Sequence, residues 1–198
     1  MNKKGMTLIE VLFATAILTV VMGTLFILAR SLGDTVAVED AKVTTQDEAR
    51  AAMYTIIKEL RQADDSSIQF EEEYGSFLIY SIAEDVDGNG TAVDVDGNLE
   101  TGPLRAIAID FTDYNYDTAR ETQLLLFTLG PTGYEARVLC NDLAPPEDTD
   151  GDGIPELGVS FSRWSSDSIL VTIRTQRQVG TTGPILNSVM SEIIFPRN

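Results

Sequence analysis

The sequence predicts an α+β fold in which a long N-terminal helix, membrane-spanning at first and amphipathic afterwards, packs on a C-terminal antiparallel β-sheet head. Three observations carry this expectation. Residues 11 to 29 (VLFATAILTVVMGTLFILA) hold no charge. Apolar residues then recur at three and four positions as far as Ala63, and beyond Ser67 their period falls to two.

Between Gly5 and Ala29 Glu10 is the one ionisable side chain, and the 24 residues from Met6 to Ala29 make a helix roughly 36 Å long, enough to cross a ~30 Å hydrocarbon layer. Lys3 and Lys4 precede the run and Arg30 follows it, which favours a cytoplasmic N-terminus with the rest of the chain outside. A cleaved signal peptide is the competing reading, but the run is long for one and no small-x-small site follows it cleanly. A carboxylate beside hydrocarbon is costly unless it is paired, so Glu10 is either a functional group or a glutamate solvated among headgroups.

Lys3-Lys4-Gly5-Met6-Thr7-Leu8-Ile9-Glu10-Val11 resembles the processing site of type IV prepilins and type II secretion pseudopilins. The resemblance implies a pilin-like fold and cleavage by a prepilin peptidase between Gly5 and Met6. It also implies methylation of the Met6 amine and pairing of Glu10 with the terminal amine of a neighbouring subunit. Members of that family most often start the mature chain with phenylalanine, where this chain has methionine. Other pilin or pseudopilin subunits and the inner-membrane assembly machinery are the partners so implied. The implied place is the bacterial inner membrane, with a single pass and a periplasmic or extracellular head.

After a break expected at Ser31-Leu32-Gly33-Asp34, the residues Ala49, Ala52/Met53, Ile56/Ile57, Leu60 and Ala63 form one stripe. One helix from Met6 to Ala63 is expected, bent near Gly23 or Gly33 and stopped by Asp64-Asp65-Ser66-Ser67. The stretch RAAMYTIIKELRQAD is similar to the amphipathic half-helix of minor subunits of the J and W types. The organisation is a leader over 1–5, a membrane helix over 6–29, an amphipathic half over 30–66 and a head over 67–198. Strands are expected at Ser67–Glu72, Ser76–Ala83, Leu104–Phe111, Thr122–Leu129, Tyr134–Cys140, Val159–Trp164, Ser168–Arg174 and Ile185–Phe195, where branched and aromatic residues are dense. Turns are expected at Leu129–Tyr134 and Ser165-Ser166-Asp167, and Trp164 and Cys140 are expected in the core or at its edge.

Charge narrows the function. With 31 acidic against 14 basic residues the net charge is −17, which opposes binding to a nucleic-acid backbone. There is no histidine, which removes histidine triads and HExxH zinc sites, and the single Cys140 rules out an intrachain disulfide. No enzymatic activity is expected.

Twelve of the acids sit in two loops without a basic residue, six over 84–100 and six over 142–156, and such crowding calls for a cation. Calcium takes six to eight oxygens at alternating positions around a tight turn, with glycine sixth. In the first loop Asp85, Asp87, Asn89, the Thr91 carbonyl and Asp96 fall at positions 1, 3, 5, 7 and 12, with Gly90 sixth. In the second, over 142–158, Asp148, Asp150, Asp152, the Ile154 carbonyl and Glu156 fall at 1, 3, 5, 7 and 9; position 12 is Val159, so Glu147 or Asp142 would have to complete it. DTDGDGIPE is also similar to the acidic calcium repeats of thrombospondin type 3 and dockerin-like modules. The competing reading of both loops is a solvated Gly/Asp turn without metal, and strict octahedral magnesium fits them less well.

The leading function is therefore a minor pilin or pseudopilin in a secretion or pilus filament. The alternatives are a calcium-dependent adhesin or ligand-binding tip module, a major pilin, and, less well matched, a membrane-anchored hydrolase whose paired acids would be catalytic.

Overall fold

The computed structural model describes residues 7–70, 76–111, 113, 122–130, 133–148, 151 and 153–197. The chain divides into two compact units, Met1–Asp40 and Ala41–Asn198. Helix α1 (Leu8–Leu60) runs through the boundary without interruption, and neither Gly23 nor Gly33 breaks it. The break expected near Ser31 is absent, because single glycines cost a helix only about 1 kcal/mol each and leave its hydrogen-bond ladder intact.

In the first unit every described residue of α1 as far as Ala37 is exposed. Its most apolar 18-residue window has a mean hydropathy of 2.5 and buries nothing. Such a helix, apolar all round and with no protein partner among the described residues, suits lipid as its solvent. The hydroxyls of Thr15, Thr19 and Thr24 donate to the carbonyls of Leu12, Thr15 and Val21 at 2.8–3.0 Å, so these polar groups are satisfied within the helix.

In the second unit the expected stripe of α1 is buried: Ala49, Ala52, Met53, Ile56 and Leu60. The helix ends where the Ala63 amide turns to the Leu60 carbonyl, and Asp64 then caps a short 3₁₀ turn at Asp65–Ser67 by accepting from the Ser66 amide. Eight strands follow among the described residues: β1 (Gln69–Phe70), β2 (Phe77–Tyr80), β3 (Arg105–Ile109), β4 (Leu124–Gly130), β5 (Gly133–Cys140), β6 (Val159–Ser165), β7 (Ser168–Gln178) and β8 (Ile185–Ile194). Among the described residues all pairings between these strands are antiparallel, and instead of one sheet there are two, ordered β1-β2-β3-β4-β5 and β6-β7-β8. β2 is shorter than expected because Ile82 and Ala83 leave it to bridge Ala63 and Thr101.

Both sheets and the helix stripe contribute to one core, in which Leu78, Tyr80, Ile107 and Leu124 meet Phe161, Ile169, Val171 and Ile173. Inward residues of β7 alternate with outward ones, as the two-residue period requires. Polar anchors fix the helix to the first sheet. Glu59 accepts from the Tyr80 hydroxyl at 3.0 Å and from Arg105 at 2.7 Å, and Glu48 accepts from the Asn141 amide at 3.3 Å.

Cys140 is buried as expected, but Trp164 is not: it is 62% exposed. The two-residue period of β6 places it there: Val159 and Phe161 are buried, and Trp164 falls with Ser160 and Ser162 on the other face, next to the register shift between Arg163 and Ser165.

Candidate functional site

Two places carry the chemistry read from the sequence. At the start of α1, the Glu10 carboxylate accepts from the Thr7 amide at 2.8 Å and from the Thr7 hydroxyl at 2.9 Å, while the Glu10 amide points back to the Thr7 hydroxyl at 3.4 Å. This reciprocal pair is a capping box, which satisfies donors that the first helical turn would otherwise leave open. The sequence reading missed Thr7, although Thr-x-x-Glu before an apolar run is its signal. Gly5 and Met6 lie outside the described residues.

The first acidic loop is folded by its own carboxylates. Asp85 accepts from the amides of Gly88, Asn89 and Gly90 at 2.7–3.0 Å, and Asp87 from the amide and side chain of Asn89. Asn89 in turn receives the Thr91 amide and hydroxyl. Gly88 and Gly90 have φ of 78° and 87°, a region that favours glycine, which is why both positions need it. The Gly90 amide, ahead of those of Gly88 and Asn89, holds the Asp85 carboxyl below the usual carboxylate range against a partial loss of solvent.

Ligand oxygens of Asp85, Asp87 and Glu100 lie within 4.8 Å of one another. Two oxygens on one calcium ion at 2.3–2.6 Å are at most about 5 Å apart, so this group could hold a divalent cation. Glu100 is the residue that sequence spacing missed. Backbone pairing returns it to Asp85: the Glu84 amide donates to the Glu100 carbonyl, and the Glu100 carboxylate receives the Val86 and Asp87 amides at 2.7 and 3.3 Å. Asp96, expected at position 12, is outside that group. It sits in a second turn built on Asp94, which accepts from the Asp96 and Asn98 amides and the Asn98 side chain. The Asn98 side chain, more than its amide, lowers the Asp94 carboxyl from its ordinary range.

In the second loop Asp150 and Asp152 lie outside the described residues. Asp148 accepts from the Gly151 and Gly153 amides at 2.6 and 3.0 Å, and Glu147 and Glu156 exchange backbone hydrogen bonds at the loop's neck. Arg174 stands 3.8 Å from the Glu147 carboxylate and 3.9 Å from that of Glu156, and Arg177 stands 3.3 Å from Asp142. Three acids proposed to serve a cation there are thus beside arginines. Ile154 is half exposed.

The description "Prokaryotic N-terminal methylation motif" matches residues 1–26. No curated protein and no solved structure gives a significant match. That motif implies processing by a prepilin peptidase and assembly with other pilin subunits, and a single apolar helix near the N-terminus accords with a single-pass anchor. An N-terminal prepilin methylation motif, on a long helix that packs against a C-terminal antiparallel sheet, is consistent with the prepilin and pseudopilin superfamily and supports, in general terms, a pilin-like structural subunit.

Proposed function

We propose that the chain is a minor pilin or pseudopilin of the J or W type, cut between Gly5 and Met6, methylated on Met6 and built into an inner-membrane filament of a type II secretion system or type IV pilus. The observation that carries this reading is the methylation motif over residues 1–26, set on a helix whose apolar surface has no protein partner among the described residues. In this reading residues 6–29 span the membrane, 30–66 are the amphipathic half and 67–198 form the head outside. Glu10 meets the terminal amine of a neighbouring subunit, a partner that offsets the cost of placing both charges near lipid. Co-expression with a prepilin peptidase and intact-mass analysis tests it. The expected product is a chain of 193 residues, the full 198 less a five-residue leader, starting at methylated Met6. A mature chain starting near residue 31 would mean an ordinary signal peptide and would end the proposal.

The head binds calcium in the first loop through Asp85, Asp87 and Glu100, with Asn89 and Thr91 as the further oxygens, and in the second through Asp148, Asp150, Asp152, Ile154 and Glu156. The close grouping of three carboxylates supports the first site; the second rests on spacing. An ion that binds only the folded loops stabilises them by about 2.7 kcal/mol at a hundredfold excess over Kd. Asp85→Asn with Asp87→Asn should remove the calcium response of the melting temperature that belongs to the first site, and Glu100→Gln should weaken it. An unmoved melt in the wild-type chain on adding a chelator would leave both loops as solvated turns.

A further inference from the structure

The free strand edges of the head are unequally protected. β1 has two residues, β5 carries Glu135 and Arg137, and β6 is bulged beside Arg163. β8 is ten residues long, pairs with β7 throughout its length, contains no proline, glycine or bulge, and holds one charge, Glu192. Among the described residues no strand covers its other side. Proteins normally guard such an edge, because its open N–H and C=O groups are a template for another strand.

The direction of those groups follows from the ladder. The Arg174 and Gln176 amides donate to the Gly158 and Asp142 carbonyls, away from β8, and the Val179 amide donates to the Pro184 carbonyl, toward it. Arg174 is paired with Val189, Gln176 with Asn187 and Gln178 with Ile185. Antiparallel pairs alternate between exchanging hydrogen bonds and not. Ile185, Asn187, Val189, Ser191 and Ile193 therefore turn five N–H and five C=O groups to the open edge, and all five residues are exposed.

We propose that this edge docks the same edge of a second copy of the chain, antiparallel and centred on Val189. About that centre the exposed residues match themselves: Ile185 faces Ile193, Asn187 faces Ser191 and Val189 faces Val189. All ten edge groups are then paired, and apolar side chains meet apolar ones. The charge of the edge does not oppose this register: each Glu192 faces Leu186 of the other copy, and the two Glu192 side chains stand about 20 Å apart along the strands. A one-residue slip would set bonding residues against non-bonding ones, and a two-residue slip would set Ile185 against Ser191 or Ile193 against Asn187, so the register centred on Val189 is the one that matches apolar with apolar.

Cysteine pairing in the full-length chain in detergent, on a Cys140→Ser background, tests this. Directly opposed residues of a hydrogen-bonded antiparallel pair have Cα atoms about 5.5 Å apart, within disulfide reach. Val189→Cys should give a homodimer under mild oxidation at least tenfold more abundant than Val95→Cys, which is 92% exposed and lies in the first acidic loop. Chains carrying Ile185→Cys should pair with chains carrying Ile193→Cys in preference to themselves. Because the N-terminal helix can associate by itself, a dimer by mass alone does not count; the position of the cross-link does. Equal cross-linking of Val189→Cys and Val95→Cys would overturn the proposal, and so would capture of a different subunit by Val189→Cys in place of the homodimer.

Discussion

The two stretches of α1 share a helix and differ in everything that helix is for. Leu12, Leu18 and Phe26 are 61%, 57% and 70% exposed, while Ile56 and Leu60 have no exposure at all. The early stretch is apolar on every side; the later one has a stripe with charges off it. Hydrophobicity alone therefore does not locate a core. Its period does, because a stripe can be buried against a sheet while leaving the remaining face to water, whereas a uniformly apolar cylinder needs an apolar solvent on all sides.

The largest effect should separate the stretches directly. Leu60→Ala or Ile56→Ala removes methyl groups from a closed core and should destabilise the head by about 2–5 kcal/mol. Leu18→Ala removes as much side chain from a position without protein neighbours and should leave unfolding of the head unchanged. Denaturant titration of the three variants in detergent reads the difference, and equal losses from Leu18→Ala and Leu60→Ala would collapse the distinction.

The glutamates of the same helix sharpen it further. Glu59 binds Tyr80 and Arg105 in a half-buried network, whereas Glu10 binds Thr7 in the same turn. Glu59→Ala leaves Arg105 and the Tyr80 hydroxyl short of a partner and should cost the head about 1–3 kcal/mol, since hydrogen bonds to charged groups are at the stronger end of the range. Glu10→Ala should not move head stability. It loses its half of the capping box at the helix start and, under the proposed function, the counter-charge for a neighbour's amine, so cleavage and membrane insertion should survive while incorporation into a filament falls. Normal co-purification of Glu10→Ala with its filament partners would argue against that role.

How far the sequence foretold this arrangement depends on the range over which each feature is decided. All eight strands and the helix stripe are legible because period and turn chemistry are local. The division into two sheets is not, since it turns on which strands pair across the 141–158 segment. Trp164 reads as core by composition, yet the period of β6, with Val159 and Phe161 inward, puts it on the open face. In the first loop Asp85, Asp87 and Asn89 are legible from spacing within one turn. Glu100 reaches them only through backbone pairing of residues 84 with 100 and 92 with 100, a contact that a twelve-residue template ending at Asp96 does not contain. Thr7 was within reach of the capping-box pattern, but the processing motif absorbed the same residues.

The last comparison concerns pH, through two strand residues that lie beside glutamates of the later stretch of α1. Burial, reinforced by the charge of Glu59 and the hydrogen bond to it, raises the Tyr80 hydroxyl above its ordinary value. Burial also pushes the Cys140 thiol up to about 11, with the charges of Glu48 and Asp142 adding to it. Both groups are acids whose protons are held more tightly in the folded chain than in the unfolded one. Below the unfolded values, about 8.5 for cysteine and 10 for tyrosine, both states are protonated and the advantage is complete. As pH rises past those values the unfolded chain releases protons first, so stability should decline, with the thiol's share lost between about 8.5 and about 11 and the hydroxyl's share above about 10. Stability of the head measured from pH 8 to pH 11 should therefore fall in the wild type, less steeply at the lower end in Cys140→Ala and less steeply at the upper end in Tyr80→Phe. Leu18→Ala, confined to the early stretch, should follow the wild-type curve. A wild-type curve that stays flat to pH 11 would show that neither group is held out of water as tightly as its packing against the helix requires.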